Sequence, residues 1–351
     1  MKDQQKQAIY QLPQRSQQVL KWVVREYVDS GIPVASTHLV EMDRFGVRSA
    51  TLRNELNTLE TDGYLLQPHT SAGRVPTQYG YRYFVDHLMN PQMSIPEIQV
   101  EYDRYLRQFA TDLDQLIVST TRFLGEMAQA LVLISRPQRQ ATHVQQIHLH
   151  EIDAETVLLI VRMSHGQVKS MAFHLESGIN RNLLREAEQM LNDHFKDTEI
   201  SQFDELAREH DGTFKRSGKV VEGIVNQLRL ALRRSSEKEY VHYGSHQLLH
   251  YPELASAAVF EPILAALENG SFTTDLPSHL LAVKPTILIG TELGGDYLSP
   301  LSAVSLCYRG EDFEGLIHIL GPTRMAYEKV VGLASMVTEK MNVLIKDYLN
   351  I

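Results

Sequence analysis

The sequence predicts an α+β protein that begins with three helices and a two-stranded hairpin, and continues into antiparallel strands with a mainly helical insert. Three observations support this fold class. Apolar residues recur at helical spacing in three short segments before Gly63. The pattern then becomes extended between Tyr64 and Pro76. Farther along, strand-like runs occur in two groups, and a mostly helical stretch of roughly a hundred residues separates them.

The first helices are predicted from apolar stripes and the residues that end them. Pro13 to Val28 carries its apolar residues on one stripe. A second, shorter helix is predicted from Thr37 to Phe45. A third helix opens near Arg48 or Ser49 and ends before Gly63. Three helices in this order are typical of a helix-turn-helix.

The third helix has one apolar and one polar face. Its apolar residues are Leu52, Leu56 and Leu59. The opposite face carries Arg53, Asn54 and Asn57. Arginine can bind guanine O6 and N7 with two hydrogen bonds, and asparagine can bind adenine N6 and N7 in the same way. We therefore expect these three residues to read bases in a DNA major groove, with Arg48, Ser49 and Thr51 anchoring the start of the helix at the DNA backbone.

The extended segment after Gly63 predicts a two-stranded wing with a polar tip. Arg74 lies where a wing residue would meet a phosphate or a narrow minor groove, and Ser71 would hold the wing on the duplex beside it. The other interpretation is that this arginine and the asparagines of the third helix form an ordinary solvated face. The residues alone leave both interpretations open.

The charge of the chain is distributed unevenly. The formal net charge is -9, yet residues 1–90 hold ten Lys and Arg against nine Asp and Glu, a net of +1. Five arginines fall in the segment expected to face DNA: Arg44, Arg48, Arg53, Arg74 and Arg82. Non-specific binding to DNA should be weak at this net charge. Specific affinity is then expected to depend on base contacts and on two heads per site.

A helix is predicted from Pro96 to about Leu133, after a linker at 90–96. Apolar residues alternate along it at spacings of four and three, with Thr120 as the one polar member: Tyr102, Leu106, Phe109, Leu113, Leu116, Thr120, Phe123, Met127 and Ala130. Such a seam can pack against a partner chain or against the protein's own sheet. Both possibilities are open at this point.

The rest of the chain contains two groups of strands. Val144 to Glu151, Thr156 to Met163 and Val168 to Leu175 predict an antiparallel meander. Helical patterns follow, and strand signals return between 286 and 320 before a final helix from about Thr323 to Leu349. We expect four parts: 1–90 as the DNA-binding domain, 91–133 as linker and long helix, 134–199 with 281–351 as one interrupted sheet domain, and 200–280 as the insert.

Several function classes find little support in the sequence. There is no HExxH motif, no cysteine pair and no phosphate-binding glycine motif, so neither an enzyme nor a metal or other cofactor is expected. His148 and His150 share a strand face, but such a pair is more often solvated or capped by neighbours than bound to metal. The single cysteine, Cys307, lies in an apolar run and is expected to fill the core. No apolar window is long enough to cross a membrane, and we expect a cytoplasmic protein.

Two long segments resemble one known family. The first contains Leu59-Glu60-Thr61-Asp62-Gly63-Tyr64-Leu65, Gln67 to Thr77 and Gly80 to Asp86, and the second runs from Ile287 to Tyr327. Both resemble the heat-inducible transcription repressor family, HrcA. The chain differs from the usual family pattern at Ala35, commonly Gly, and at Glu292-Leu293, commonly Glu-Asn.

This resemblance implies a fold and a regulatory role. It implies a winged helix, a GAF-like domain built from both flanks, and a dimerising domain inserted between them. It also implies a homodimer that represses chaperone operons at an inverted-repeat operator of the CIRCE type and releases it on heat stress, with help from a GroEL-type chaperonin. Two other functions stay open: a regulator whose GAF-like domain binds a small molecule, and a winged helix that binds only proteins.

Overall fold

A computed structural model describes residues 11–41, 49–91, 96–139, 142–166, 168–175, 181–216, 218–236, 239–272, 284–310 and 313–349. Helices and antiparallel strands make up the fold, which confirms the α+β class. The chain forms two compact units. The first comprises Met1–Arg136, Tyr240–Gly310 and Gly315–Ile351, and the second Pro137–Glu239 with Glu311–Glu314.

The first unit begins with three helices and a short antiparallel ribbon. These elements are α1 Gln14–Ser30, α2 Ser36–Glu41, α3 Ser49–Thr61, β1 Leu65–Leu66, β2 Val75–Pro76 and α4 Gln78–Tyr83, which continues as a π-helical turn at Phe84–Leu88. The helix α1 ends because Gly31 adopts a left-handed conformation with φ of 68°. Thr77 caps α4, since its hydroxyl accepts a hydrogen bond from the Gly80 amide at 3.1 Å.

A backbone contact holds the ribbon against the turn between α1 and α2. The amide of Val34 donates to the carbonyl of Arg74 at 2.9 Å, and the amide of Arg74 donates to the carbonyl of Val34 at 2.8 Å. This approach requires glycine at position 73. A methyl group on Gly73 would lie 2.6 Å from the carbonyl carbon of Pro33 and would collide with Val34.

The predicted long helix is wrong, because the chain forms two helices, α5 Pro96–Phe109 and α6 Leu113–Ala128. Asp112 starts the second one, since its carboxylate accepts a hydrogen bond from the Gln115 amide at 2.8 Å. The seam is used inside the chain: the Tyr102 hydroxyl lies 2.8 Å from that of Thr120, and both residues are fully buried. Burial raises the pKa of Tyr102, so its hydroxyl keeps the proton.

Five strands of a six-stranded antiparallel sheet form the centre of the first unit, and the sixth is the short strand Gln138–Arg139. The five strands are β3 Leu131–Ser135, β8 Tyr240–Tyr243, β9 Thr286–Ile289, β10 Leu301–Arg309 and β11 Phe313–Pro322. They lie in the order β8-β3-β11-β10-β9. Between β8 and β9 the chain forms a 3-10 turn at Ser245–His250 and the helix α11 Ala257–Glu268. The last helix, α12 Tyr327–Leu349, packs on β10, and α6 packs on β3 and β8.

Over its described residues, the second unit contains the predicted meander and four α-helices. Its elements are β4 Gln138–Arg139, β5 Val144–Glu151, β6 Thr156–Met163, β7 Val168–His174, α7 Arg181–Phe195, α8 Phe203–Glu209, α9 Asp211–Arg216 and α10 Lys219–Ser236. The three long strands form their own sheet in the order β5-β6-β7. Asn192 on α7 closes its edge by bonding both the amide and the carbonyl of Ile147, at 2.9 and 2.8 Å.

This arrangement differs from the expected sheet. We expected the strands between 144 and 175 to join those between 286 and 320, with 200–280 as the insert, but the two groups form separate sheets. The large sheet instead recruits β3 and β8, which pair with each other through Ser135 and Tyr240. The chain between these two residues therefore interrupts the first unit, at 137–239.

The buried contact between α5 and α6 allows a direct test. Thr120→Val leaves the Tyr102 hydroxyl without its partner, and we expect the free energy of unfolding to fall by about 1 to 3 kcal/mol in urea titrations. Val118→Thr on the same helix is the control, because Val118 is 42% exposed and its change should have little effect. Equal losses in the two variants, or a change of sedimenting mass with Thr120→Val, would contradict an intrachain seam.

Candidate nucleic-acid interface

The helix α3 is fixed by its apolar side. Leu52 and Leu59 are fully buried and Leu56 is 4% exposed, so this stripe packs inward against α1 and α2. The hydroxyl of Ser16 on α1 also donates to the Glu55 carboxylate at 2.8 Å. These contacts set the rotation of α3 about its axis, and with it the residues that face outward.

The three predicted base-reading residues lie together on the exposed side of α3. Arg53, Asn54 and Asn57 are all exposed. The side chains of Arg53 and Asn54 form no hydrogen bond or ion pair with any described residue, so both can meet a ligand without breaking an internal contact. The Asn57 side chain, in contrast, has a partner within the chain.

The start of α3 carries the predicted backbone anchors. Ser49 is its first residue, and its hydroxyl lies 3.4 Å from that of Ser36, the first residue of α2. Thr51 is half-buried in the first turn. Unpaired amides at a helix N-terminus favour a phosphate oxygen. Arg48, the third predicted anchor, lies outside the described residues.

The tip of the ribbon is held in one shape by its own hydrogen bonds. The Gln67 side-chain amide donates to the carbonyls of Thr70 and Ala72, at 3.0 and 2.9 Å. The Ala72 amide donates to the His69 carbonyl at 2.8 Å. Ser71 is exposed at this tip. A tip closed in this way loses little conformational entropy when it binds.

Arg74 does not lie at the exposed tip. Its guanidinium turns back onto α3 and donates to the Asn57 side-chain oxygen at 2.9 Å, and it lies 2.8 Å from the Glu60 carboxylate. Its side chain is only 14% exposed. The reason is local, because pairing with Val34 holds the backbone of Arg74 close to the helices. The pairing of Arg74 with Glu60 could not be predicted from the sequence, because the two residues lie on different elements and meet only through this backbone approach.

Arg82 also differs from the expectation that it faces DNA. It bonds the carboxylate of Glu292 and the carbonyl of Ile287 within the first unit. Burial opposes the charge of Arg82, but its bonds with Glu292 raise its pKa above the usual value, so the guanidinium stays protonated. Arg25 forms a similar pair with Glu328 at 2.9 Å. Of the five arginines that were expected to face DNA, Arg53 is therefore the exposed one among those that the structure describes.

The remaining sequence predictions concern the histidine pair, the single cysteine, the departure from the family pattern at position 293, and membrane-spanning helices. His148 lies 3.4 Å from the Glu188 carboxylate. Within the described ranges no group of three His, Cys, Asp or Glu could hold a metal ion. Cys307 is buried in β10 and Leu293 is fully buried, so the departure from the usual family pattern at position 293 places an apolar side chain in the core. Among the helices described, none is both long and apolar enough to cross a membrane.

Comparison with known proteins identifies the family. A family model described as the HrcA protein C-terminal domain matches residues 114–331. The heat-inducible transcription repressor HrcA of Natranaerobius thermophilus is 29% identical, over 93% of this chain and 95% of its own length. That of Thermomicrobium roseum is 30% identical, over 95% of this chain and 97% of its own length.

A solved structure supports the fold. The crystal structure of a hypothetical protein is 22% identical, covers 97% of this chain and 99% of its own, and gives a TM-score of 0.57. The relatives are named as transcription repressors, which are regulators and not enzymes. Because the family model covers more than half of the chain and the relatives match nearly all of it, the chain belongs to the HrcA family of heat-inducible transcription repressors.

Proposed function

We propose that this protein is a heat-inducible transcription repressor that binds duplex DNA through α3. One observation carries the proposal: Arg53 and Asn54 are exposed beside Asn57, with no side-chain bond to any described residue, on a helix whose opposite side is buried. Arginine and asparagine side chains suit the edges of guanine and adenine in the major groove. The family supplies the repressor role, since its named relatives are heat-inducible repressors.

The N-terminal segment is, in this proposal, a winged helix-turn-helix. The helices α2 and α3 form the helix-turn-helix, and the ribbon β1-β2 is the wing. Arg53, Asn54 and Asn57 contact bases. Ser49, Thr51 and Arg48 meet the DNA backbone at the start of α3, and Ser71 meets it from the wing tip. Arg74, at the base of the wing, bonds Asn57 on α3. The closed tip and the exposure of Ser71 support this orientation.

The operator in this proposal is an inverted repeat of the CIRCE type near chaperone genes, and the protein binds it as a homodimer. A near-neutral head supports the dimer, because residues 1–90 carry a net charge of only +1. Few phosphate contacts per head mean modest affinity for one half-site. Two linked heads raise the effective affinity without any new contact.

The remaining parts receive corresponding roles. The sheet β8-β3-β11-β10-β9 with α6 and α12 is GAF-like in this proposal, and the unit at 137–239 is the inserted dimerising domain. Pairing of Ser135 with Tyr240 supports an insertion, since it brings both ends of that segment to neighbouring strands. Family membership supports one further partner, a GroEL-type chaperonin that raises the fraction of repressor competent to bind DNA.

A second candidate function is regulation by a small molecule. A cavity of about 470 Å³ lies in the first unit between α1 and the start of α12. Trp22, Arg25, Phe84 and Tyr327 are among the residues that line it. Aromatic walls with a few charged groups are typical of small-molecule sites. A ligand there would touch a helix of the DNA-binding segment directly.

The repressor proposal is tested on a chaperone promoter of the source organism. We expect the full-length protein to protect an inverted repeat from nuclease, and the complex to contain two chains per operator by sedimentation. Protection should decrease on heating and recover when chaperonin is added with ATP. A protein that stays monomeric and protects no inverted repeat at low salt would contradict the proposal, and selective capture of a protein partner would favour a protein-binding winged helix.

The base-reading role of α3 is tested with Arg53→Ala. We expect operator affinity to fall by about 1 to 3 kcal/mol and the preference at one base pair to relax, because two hydrogen bonds to that base are lost. Arg104→Ala on α5 is the charge-matched control, since Arg104 is exposed and lies outside α3. Titrations over a panel of operators with single substitutions measure both effects. Unchanged preference in Arg53→Ala would mean that α3 does not read bases with this residue.

The small-molecule candidate can be tested with intrinsic fluorescence. Trp22 is the single tryptophan of the chain and lines the cavity, so a bound ligand should change its emission in a saturable way. We expect the repressor alone to account for function, so metabolites should leave both emission and operator affinity unchanged. A metabolite that changes the Trp22 emission and the operator affinity over the same concentration range, both to saturation, would support ligand gating instead.

A further inference from the structure

We propose that Arg74 is a positioning residue that acts through Asn57, and thereby determines which hydrogen-bonding group Asn57 presents to a base. This inference rests on the proposed DNA-binding function and deepens it. The position of Arg74 in a wing suggested a phosphate contact. The inference assigns Arg74 a different role, the positioning of Asn57. It also limits the kind of base edge that Asn57 reads.

The contacts that the structure describes for Arg74 are all with residues of its own chain. Its backbone pairs with Val34 in both directions, at 2.9 and 2.8 Å. One guanidinium nitrogen, Nη2, donates to the Asn57 Oδ1 at 2.9 Å and lies 2.8 Å from the Glu60 Oε2. The Arg74 Nε is buried and has no hydrogen-bond partner among the described residues. An arginine that is 14% exposed and held at both ends has little freedom to reach a phosphate.

The orientation of the Asn57 amide follows from this contact. An asparagine amide can rotate by half a turn, and reading adenine uses its oxygen as acceptor and its nitrogen as donor together. Arg74 holds the oxygen on the ribbon side of α3. The amide nitrogen then faces away from Arg74, while the residue itself is exposed. Asn57 is therefore set to donate to an acceptor in the groove: a purine N7, guanine O6 or thymine O4.

Glu60 balances the positive charge of Arg74. Its carboxylate neutralises the guanidinium, so the pair adds no net positive charge beside the DNA. A phosphate contact would instead need an arginine with no carboxylate partner, because its free charge would displace a counterion from the DNA. The pair instead fixes geometry, because a guanidinium binds a carboxylate and an amide oxygen in a defined plane.

The experiment measures operator binding by full-length Arg74→Ala, Asn57→Ala and the double variant, from 50 to 200 mM salt, on operators substituted one base pair at a time. We expect the single variants to relax discrimination at the same base pair, by about 5- to 150-fold. The double variant should lose no more than either single one. The slope of log K against log salt should match the wild type, since no phosphate contact is lost.

Two further variants separate geometry from charge. Arg74→Lys keeps the charge but cannot hold Asn57 and Glu60 in one plane, so it should relax the same base pair. Glu60→Gln leaves Arg74 and the wing in place and should relax it partially. These two variants also carry the test if Arg74→Ala melts at a lower temperature than the wild type.

The contrary results are equally specific. A salt slope reduced by about 0.9, effects that add to those of Asn57→Ala, and full base preference in Arg74→Lys would show that Arg74 contacts a phosphate. That outcome would overturn this inference and leave the repressor proposal intact. A wild-type protein that binds no inverted repeat would remove the repressor proposal, and this inference with it.

Discussion

The packing of three leucines under α3 is the constraint on which the proposed interface depends. Leu52, Leu56 and Leu59 are buried against the neighbouring helices, and a helix held on one stripe cannot rotate about its axis. Removing such a side chain from a packed core costs about 2 to 5 kcal/mol of folding free energy, so the chain strongly prefers the rotation that buries all three. The burial of the apolar stripe therefore decides that Arg53 and Asn54 face outward. The chemistry of the outer face is free to vary while the helix keeps its orientation.

The ribbon adds a second constraint, and it acts at closer range. Gly73 allows the ribbon backbone to approach the turn before α2, and the resulting pairing with Val34 aims Arg74 at the side of α3. The ribbon and α3 thus meet through one guanidinium, that of Arg74, which bonds Asn57 and Glu60. A shift of the ribbon would move the Asn57 amide with it. Contacts that join two elements in this way make a binding surface more rigid than either element alone.

Local sequence patterns predicted most helices and strands, whereas the pairing of residues far apart in the sequence was not predicted. The boundaries of α3 and of the meander follow from helical and alternating periodicity, which the sequence displays directly. The single long helix was wrong because the helix breaks before Asp112, which caps α6, and the two halves of the apolar seam pack against each other. Sheet membership was missed for a different reason: Ser135 pairs with Tyr240, and no local signal records that register. The partner of Arg74 was missed likewise, because it depends on a backbone approach at Gly73.

The ion pairs of the N-terminal segment bear on how the protein would find its operator. Arg25 and Arg82 bind the carboxylates of Glu328 and Glu292, and Arg74 binds Glu60, so these three charges are matched inside the chain. Charges that are already paired release few counterions when a duplex arrives, and a near-neutral head gains little from electrostatic steering. Affinity for arbitrary DNA would then be low, and in the proposed dimer the ratio of specific to non-specific binding would rest on base contacts and on the linkage of two heads. A repressor built in this way would leave non-operator DNA quickly, which favours occupancy of a few operators over a large excess of competing sites.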